Sequence, residues 1–245
     1  MGVKAAVKRV LHAAGLQLRR IPTADELIPT EAKRKRRVIL MKNRGIDLVL
    51  DVGANTGQFG HSLRQLGFRG RIVSFEPLKD AFATLRQLAT QDALWECHNL
   101  ALGDCDRTAS INISANSESS SFLPASARSV RIEPGIAYVG QEEASIRRLD
   151  AILDSVARRD NVIYLKIDTQ GYELNVLKGA LGVIDRIPLI QLETAFFEGY
   201  ETQPLIEEII SYLRCLRYRI VWIDPGWEDL KTGEMLEADL IFARD

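Results

Sequence analysis

The sequence LDVGANTG, residues 50–57 of a chain of 245 residues, marks a point where a predicted strand turns into a helix. Before it, residues 46–52 form a nearly continuous apolar run, which is the pattern of a parallel strand buried on both faces of a sheet. After it, residues 56–66 have the pattern of a helix that ends at Gly67. Glycines at such a turn let a ligand approach the backbone N–H groups of the helix start. A tight turn that binds nothing also favours glycine, so the motif alone leaves both interpretations open.

The same alternation of strand and helix continues through the rest of the chain. Further strands are predicted at residues 71–75, 94–100, 162–167, 189–192, 218–223 and 238–243, and further helices at residues 78–89, 174–181 and 206–216. Alternation of this kind predicts an α/β fold, with a doubly wound and mostly parallel sheet covered by helices on both faces. Residues 101–144 depart from the pattern because they are turn-rich and polar, and we expect a lid or an insertion there.

Length and composition fit one α/β domain, since domains usually contain about 100–200 residues. An apolar content of 46% and a charged content of 27% exclude the disordered and fibrous classes. No apolar run approaches the roughly 18 residues of a membrane span, and basic residues interrupt the N-terminal segment, so we expect no secretory signal. Cys97, Cys105 and Cys215 follow neither a disulfide nor a zinc pattern, which favours a cytoplasmic protein.

Charge is divided unevenly along the chain. Residues 1–44 have 12 Lys and Arg against 3 Asp and Glu, whereas residues 45–245 have 20 against 30. We predict a basic helical N-terminal arm at residues 1–44, with an apolar face along residues 3–18, and a single domain at residues 45–245. The basic run Lys33–Arg37 either covers a solvated helix that packs on the domain or contacts an anionic membrane. The acidic body argues against nucleic acid as the substrate.

An acidic residue, Glu76, follows the second predicted strand, 19 positions after Gly57. A carboxylate at that strand end can accept hydrogen bonds from both ribose hydroxyls of an adenosine. Nicotinamide-dependent oxidoreductases share this device and are an alternative. The turn lacks the compact G-x-G-x-x-G sequence that brings a helix start onto a pyrophosphate, so it better suits S-adenosylmethionine, which has no phosphate.

Several motifs of this chain resemble those of the FkbM-type S-adenosylmethionine-dependent methyltransferases. They are Asp51–Gly57, Phe75–Pro77, Asn99–Gly103, Ser119–Pro124, Leu165–Glu173, Phe197–Gly199 and Gln203–Leu205. The most specific is KIDTQGYE at residues 166–173, together with the helix that follows it. The resemblance runs from residue 46 to the C-terminus and implies a class I methyltransferase with a Rossmann-like fold.

The resemblance implies O-methylation, with S-adenosylmethionine as donor and a hydroxyl of a sugar, a glycan or a polyketide as acceptor. The residues that it places at the cofactor are Asp51, Gly53, Asn55, Gly57, Glu76, Pro77, Asn99, Ala101 and Asp168. Within this set the glycine turn would hold the methionine end, and Glu76 would bind the ribose. Asn99 and Ala101 would border the adenine. Asp168 would face both the cofactor and the acceptor.

Methylation of a hydroxyl needs a group that accepts its proton, because an alcohol is a poor acid. Asp168 and Glu193 follow adjacent predicted strands and are expected to lie close together, with Glu173 one turn into the next helix. We predict these three carboxylates as the catalytic residues. Asp168 and Glu193 are also candidate ligands of Mg²⁺, which takes few carboxylates and keeps several waters. Alternatively, Glu193 pairs with Lys166, and Glu173 supports a helix start.

The remaining expectations concern the acceptor pocket. Asn112–Pro134 is predicted to be its mobile border, with Ser119–Ser121 nearest the site. Tyr200 and Trp227 are expected to be exposed and available for stacking on a sugar. Of the three histidines, only His98 is expected near the cofactor. A cofactor-fold module that has lost catalysis and acts as a binding partner is the alternative from another functional class.

Overall fold

The computed structural model describes residues 30–244, with their side chains from Lys35 onward. The predicted helix at residues 3–18, and with it most of the basic arm, lies outside the described residues. The chain divides into two units between Arg36 and Arg37, and the second unit contains the whole sheet. The predicted boundary between residues 44 and 45 stays a prediction.

Helices and strands alternate along the described part of the chain. The helices are α1 (Thr30–Asn43), α2 (Gln58–Gln65), α3 (Lys79–Ala89), α4 (Ala127–Ile132), α5 (Leu149–Val156), α6 (Glu173–Gly179) and α7 (Ile206–Cys215), with 3₁₀ turns at Pro134–Ile136 and Leu181–Arg186. The strands are β1 (Leu48–Val52), β2 (Arg71–Phe75), β3 (Trp95–His98), β4 (Ala101–Leu102), β5 (Arg107–Ser114), β6 (Tyr138–Arg147), β7 (Ile163–Ile167), β8 (Leu189–Ala195), β9 (Arg219–Pro225), β10 (Glu228–Asp229), β11 (Glu234–Met235) and β12 (Glu237–Ala243).

Seven strands form the central sheet in the order β3-β2-β1-β7-β8-β12-β9. β12 runs antiparallel to its neighbours β8 and β9, and the other adjacent strands of this sheet are parallel. The strand order reverses between β1 and β7, where ligands bind in open α/β sheets. The predicted α/β fold with a doubly wound, mostly parallel sheet is confirmed.

Side chains of β1 point alternately into two cores on the two faces of the sheet. Leu48 and Leu50 are fully buried in one core, and Val49 is fully buried in the other. Burial on both faces explains why residues 46–52 are almost continuously apolar. Met41, near the end of α1, packs in the same core as Val49, as expected if the apolar side of this helix packs on the domain.

Residues 101–147 form a second sheet, whereas the sequence predicted a lid or an insertion there and no strands. β5 pairs antiparallel with β6, and β4 joins β6 in parallel. β5 and β6 are covered mainly on one face, where Ile111 and Ala144 pack against Leu78 and Ala81. One-sided burial leaves few apolar residues in each strand, which is why these strands were not recognised. The third predicted strand also ends earlier than expected, because β4 belongs to the second sheet.

None of the described helices is long and apolar enough to span a membrane.

Candidate active site

The carboxyl ends of β1, β2, β7 and β8 bring the predicted site residues to one edge of the sheet. Asp168 N donates a hydrogen bond to the carbonyl oxygen of Val52 at 3.1 Å, and Gly53 N donates to that of the last residue of β2 at 3.0 Å. Glu76 follows β2 directly, and Glu193 lies near the end of β8. The predicted grouping of these positions at one edge is confirmed.

The glycine turn is shaped by packing within the protein. Gly53 has a φ of 72° and Gly57 a φ of 94°, both in the left-handed region that favours glycine. A Cβ at Gly53 would lie 1.8 Å from the carbonyl oxygen of Asp168. A Cβ at Gly57 would lie 3.1 Å from side-chain atoms of Leu85 and Leu88. Packing within the protein is therefore sufficient to require these glycines, and a valine at Gly53 would disrupt the sheet edge with or without a cofactor. The predicted approach of a ligand to this turn stays a prediction.

Glu76, the residue predicted to bind the ribose, is a buried carboxylate at this edge, and only 4% of the residue is exposed. Its Oε2 accepts a hydrogen bond from Asn55 N and its Oε1 one from Leu78 N, both at 2.8 Å. Asn99 Nδ2 donates to the carbonyl oxygens of Glu76 and Pro77 at 2.9 Å each. Burial raises the pKa of Glu76 to about 7, although the two backbone N–H groups oppose the rise. The carboxylate thus links the first and second predicted motifs.

Asp51, at the end of β1, has no exposed surface. Its Oδ2 accepts a hydrogen bond from Ser74 Oγ at 3.2 Å, and its Oδ1 lies 3.3 Å from Lys166 Nζ. Burial raises the pKa of Asp51, and the charge of Lys166 opposes the rise. Asp51 has the geometry of a residue that positions Lys166, and its predicted contact with the cofactor stays a prediction.

Lys166 is a residue of the site that was not predicted, except as a partner for Glu193. It is 6% exposed, its Nζ donates to Gly53 O at 3.0 Å, and it lies 3.4 Å from Asp168 Oδ2. Burial alone would lower the pKa of Lys166, yet the charges of Asp168 and Asp51 raise it above its ordinary value. The described ion pairs of Lys166 are thus with Asp51 and Asp168, not with Glu193. A lysine inside an apolar strand was the available signal, because buried lysines need carboxylate partners.

Gln170 joins the two predicted catalytic carboxylates. Its Nε2 donates to Asp168 Oδ1 at 2.9 Å and to Glu193 Oε2 at 2.8 Å. The Tyr200 hydroxyl donates to Gln170 Oε1 at 2.7 Å. Tyr200 is only 3% exposed, so the expectation that it is exposed was wrong. Asp168 and Glu193 lie close together as predicted. They are bridged by Gln170, which was not among the predicted site residues.

The environment of Glu193 differs from that of a surface carboxylate. Burial raises the pKa of Glu193 well above its ordinary value, and the negative charges of Asp168 and Glu237 raise it further. Glu237 lies on the neighbouring strand β12, and the pKa of Glu237 is raised to about 8, mainly by burial. A carboxylate with a raised pKa accepts a proton more readily near neutral pH, which suits a general base.

Glu173, the third predicted catalytic residue, is buried at the start of α6. Its Oε1 accepts hydrogen bonds from Thr169 N at 2.9 Å, from Thr169 Oγ1 at 3.1 Å and from Gly171 N at 3.2 Å. These contacts fix the turn that carries Gln170. The geometry agrees with the alternative that Glu173 supports a helix start, and its catalytic role stays a prediction.

The predicted border of the adenine lies after β3. His98, the last residue of this strand, stacks on Phe75 with ring centroids 5.5 Å apart, and its Nε2 lies 2.8 Å from Glu96 Oε1. Ala101 is buried in β4. His98 therefore has packing and charge partners within the protein, as expected of a structural histidine.

The serine segment that follows β5 lies against the turn at Gln170, as predicted for the part of the insertion nearest the site. Ser121 Oγ donates to the carbonyl oxygen of Gln170 at 2.6 Å. The Tyr200 hydroxyl lies 3.1 Å from the carbonyl oxygen of Ser119. The mobility of Asn112–Pro134 stays a prediction.

A comparison with models of protein families shows which family the chain belongs to. A family model described as Methyltransferase FkbM domain matches residues 51–220, which is more than half of the chain. The chain belongs to the FkbM methyltransferase family. Members of this family use S-adenosylmethionine as methyl donor. A comparison with curated proteins finds no relative that matches the chain at a significant level.

This FkbM-family chain is similar to solved structures of methyltransferases. Methyltransferase FkbM from Methylobacillus flagellatus KT matches with a TM-score of 0.52 and 14% identity, over 80% of this chain and 43% of that chain. The chain thus spans less than half the length of that protein, and at this identity the likeness shows the fold alone. Magnesium protoporphyrin IX methyltransferase from Synechocystis PCC 6803, a structure with bound S-adenosylmethionine, matches with a TM-score of 0.47 and 10% identity, over 100% of this chain and 98% of that chain.

The sheet edge around Glu76 has groups that suit S-adenosylmethionine. Each oxygen of Glu76 accepts one backbone N–H, and a carboxylate oxygen keeps a second lone pair for a ribose hydroxyl. The backbone N–H groups of residues 53–57 already have acceptors within the protein, so the glycine turn holds its own shape through them. The assignment of single side chains to parts of the cofactor stays a prediction.

The predicted Mg²⁺ site at Asp168 and Glu193 is not supported. Within residues 30–244, no three His, Cys, Asp or Glu residues come together in an arrangement that could hold a metal ion. The two carboxylates share the amide donor of Gln170, whereas a cation would need their oxygens as ligands. No step of the reaction is therefore assigned to a metal.

Proposed function

We propose that this FkbM-family protein transfers the methyl group of S-adenosylmethionine to a hydroxyl of a sugar or glycan in the cytoplasm. The observation that carries the proposal is the pair Asp168 and Glu193, held by one amide nitrogen at 2.9 and 2.8 Å beside the glycine turn. Two carboxylates at a strand end suit the removal of a proton from a neutral hydroxyl. The cytoplasm is part of the proposal because the three cysteines follow no disulfide pattern.

The sulfonium of the bound donor supplies an electrophilic methyl group, which leaves alignment and proton removal to the protein. Glu193 accepts the proton of the acceptor hydroxyl while the oxygen–methyl bond forms and the methyl–sulfur bond breaks. Because burial and neighbouring carboxylates raise the pKa of Glu193, it is a stronger base than an exposed carboxylate. Asp168 accepts a hydrogen bond from the acceptor and is held in place by Lys166, whose Nζ lies 3.4 Å away.

Aromatic residues that follow β8 and β9 favour a sugar as the acceptor. The rings of Phe197 and Trp227 lie with centroids 6.2 Å apart, and both residues are half-exposed. The guanidinium of Arg128 lies 4.6 Å from the ring centroid of Phe197. Half-exposed aromatic faces stack on the apolar faces of sugar rings, and neighbouring polar groups bind the hydroxyls.

Methyl incorporation from isotopically labelled S-adenosylmethionine, followed by mass, tests this function on a panel of glycosides and polyketide alcohols. We expect at least one glycoside to be methylated. Methylation of polyketide alcohols alone would replace the proposed acceptor. Cofactor binding in calorimetry without methylation of any acceptor would favour a binding module that has lost catalysis.

Trp227→Leu tests the aromatic surface separately. We expect KM for the methylated glycoside to rise about three- to tenfold, with cofactor affinity unchanged, because a stacking face is lost. Leu230→Ala is the control, since Leu230 is 87% exposed on the same hairpin. Equal KM values for wild type and Trp227→Leu would place the acceptor elsewhere on this edge.

A further inference from the structure

We infer that Gln170, oriented by Tyr200, is a positioning residue for methyl transfer that holds Asp168 and Glu193 in one arrangement. Gln170 Nε2 donates to one oxygen of each carboxylate, at 2.9 Å and 2.8 Å. The catalytic part of this inference rests on the proposed function, whereas the bridge itself does not.

The direction of the Gln170 amide follows from its partners. An amide nitrogen carries two N–H groups, and each one is used by one carboxylate. If the amide were turned over, its oxygen would face the oxygens of Asp168 and Glu193, and an ionised carboxylate has no proton to donate to it. The Tyr200 hydroxyl donates to Gln170 Oε1 at 2.7 Å, which stabilises the observed direction.

The backbone that carries the Gln170 side chain is also held in place. Its φ is 55°, in the left-handed region where a glycine would be unstrained. Ser121 Oγ donates to its carbonyl oxygen at 2.6 Å, and Glu173 accepts hydrogen bonds from the residues on both sides of it. A strained conformation that is held from several directions keeps the amide between the carboxylates.

The bridge opposes the repulsion between the two carboxylates. Charges of the same sign at a strand end move apart unless a donor lies between them. With the amide in place, Asp168 and Glu193 face the same part of the sheet edge. One carboxylate can then orient the acceptor hydroxyl while the other takes its proton.

The bridge is tested without any acceptor by the side-chain amide signals of Gln170 in the full-length, ¹⁵N-labelled protein. Gln170→Met assigns the signals by removing them. We expect both Nε2 protons to exchange with water more slowly than those of the exposed Gln87 and Gln91. Asp168→Asn should shift one proton signal, and Glu193→Gln should shift the other. Exchange as fast as that of Gln87 in the wild type would overturn the bridge.

The positioning role is tested by kinetics on the glycoside that the wild type methylates best. Gln170→Met keeps side-chain length but removes both N–H groups, so kcat should fall about 10- to 100-fold with little change in cofactor affinity. Gln170→Glu should be slower still, because it places a third carboxylate between the first two. Tyr200→Phe removes only the hydroxyl and should give a smaller loss of kcat.

Gln65→Met is the matched control, because Gln65 Nε2 lies 2.9 Å from His61 Nε2 on the exposed side of α2 and outside the site. A normal kcat for Gln170→Met would overturn the positioning role, even if the exchange measurement confirms the bridge. If the wild type methylates no glycoside, the proposed acceptor fails and the catalytic part of the inference falls with it. The exchange measurement still decides the bridge in that case.

Discussion

The half of the sheet edge predicted to bind the cofactor, around Glu76, and the half proposed to bind the acceptor, around Asp168 and Glu193, hold their carboxylates in different ways; we call them the cofactor half and the acceptor half. In the cofactor half, Glu76 accepts hydrogen bonds from the backbone N–H groups of Asn55 and Leu78. In the acceptor half, Glu193 accepts one from the side chain of Gln170, which Tyr200 orients. Backbone donors persist when a side chain is replaced, whereas a side-chain network loses its geometry with one substitution. Substitutions should therefore affect binding in the cofactor half and turnover in the acceptor half.

Asp168→Asn should have the largest effect and should act on the acceptor half alone. It keeps side-chain size but removes the charge that faces the acceptor, so kcat should fall about 10²–10⁴-fold. Cofactor affinity should change by less than roughly threefold, because the contacts of Glu76 are untouched. Turnover of a labelled glycoside and calorimetry of cofactor binding are the two measurements.

Asp154→Asn is the control for this prediction, since Asp154 is an exposed carboxylate that pairs with Arg186 at 2.7 Å. Near-normal turnover of Asp168→Asn would assign proton removal to another group. A large loss of cofactor affinity would show that the two halves do not act separately.

Lys166→Met tests the lysine whose Nζ contacts the glycine turn through Gly53 O and also lies beside Asp168. Its removal leaves Asp51 buried without its cation, so the free energy of unfolding should fall by about 3–5 kcal/mol. Urea unfolding of the variant and the wild type measures this loss. Asp51→Asn combined with Lys166→Met should recover part of it, because the uncompensated charge is gone. A loss below roughly 1 kcal/mol would mean that Lys166 is not needed to hold the edge together.

Glu76→Gln tests the cofactor half. It keeps size but removes the charge offered to the ribose, so the dissociation constant of S-adenosylmethionine should rise about tenfold to a hundredfold. The kcat at saturating cofactor should stay close to that of the wild type. An unchanged dissociation constant in a folded variant would withdraw the ribose assignment of Glu76.

The pH dependence of cofactor binding gives the smallest expected effect. The pKa of Glu76 is raised to about 7, and the ionised carboxylate is the better acceptor for ribose hydroxyls. Affinity should therefore be about tenfold weaker at pH 6 than at pH 8, and calorimetry at both pH values measures this. The free energy of unfolding should depend on pH in the opposite direction, because the folded state binds the proton of Glu76 more tightly than the unfolded state does. The stabilisation is fully present below the ordinary pKa of a glutamate and is lost as the pH rises through about 7. Glu76→Gln should show neither dependence.

The pattern of apolar residues along the sequence predicted the strands of the central sheet better than those of the second sheet. The strands of the central sheet are buried on both faces and read as apolar runs, of which residues 46–52 are the clearest. β5 and β6 are covered mainly on one face, so their apolar residues are too few to reveal them. The glycines of the turn were recognised, but the contact that excludes a Cβ at Gly53 could not be predicted, because the backbone of Asp168 is far along the chain.

The alternation of predicted strands and helices was sufficient to predict the α/β fold, the common edge of the sheet where the candidate site residues lie, and the nearness of Asp168 and Glu193. Periodicity and strand order are local or topological properties, so they can be read along the chain. The partners of the buried polar groups could not be read in this way. Lys166 with Asp51, and Tyr200 with Gln170, are separated widely in the chain and meet through folding. Their pairing was determined by the folded arrangement, because a buried polar group takes its partner from whichever segment packs beside it.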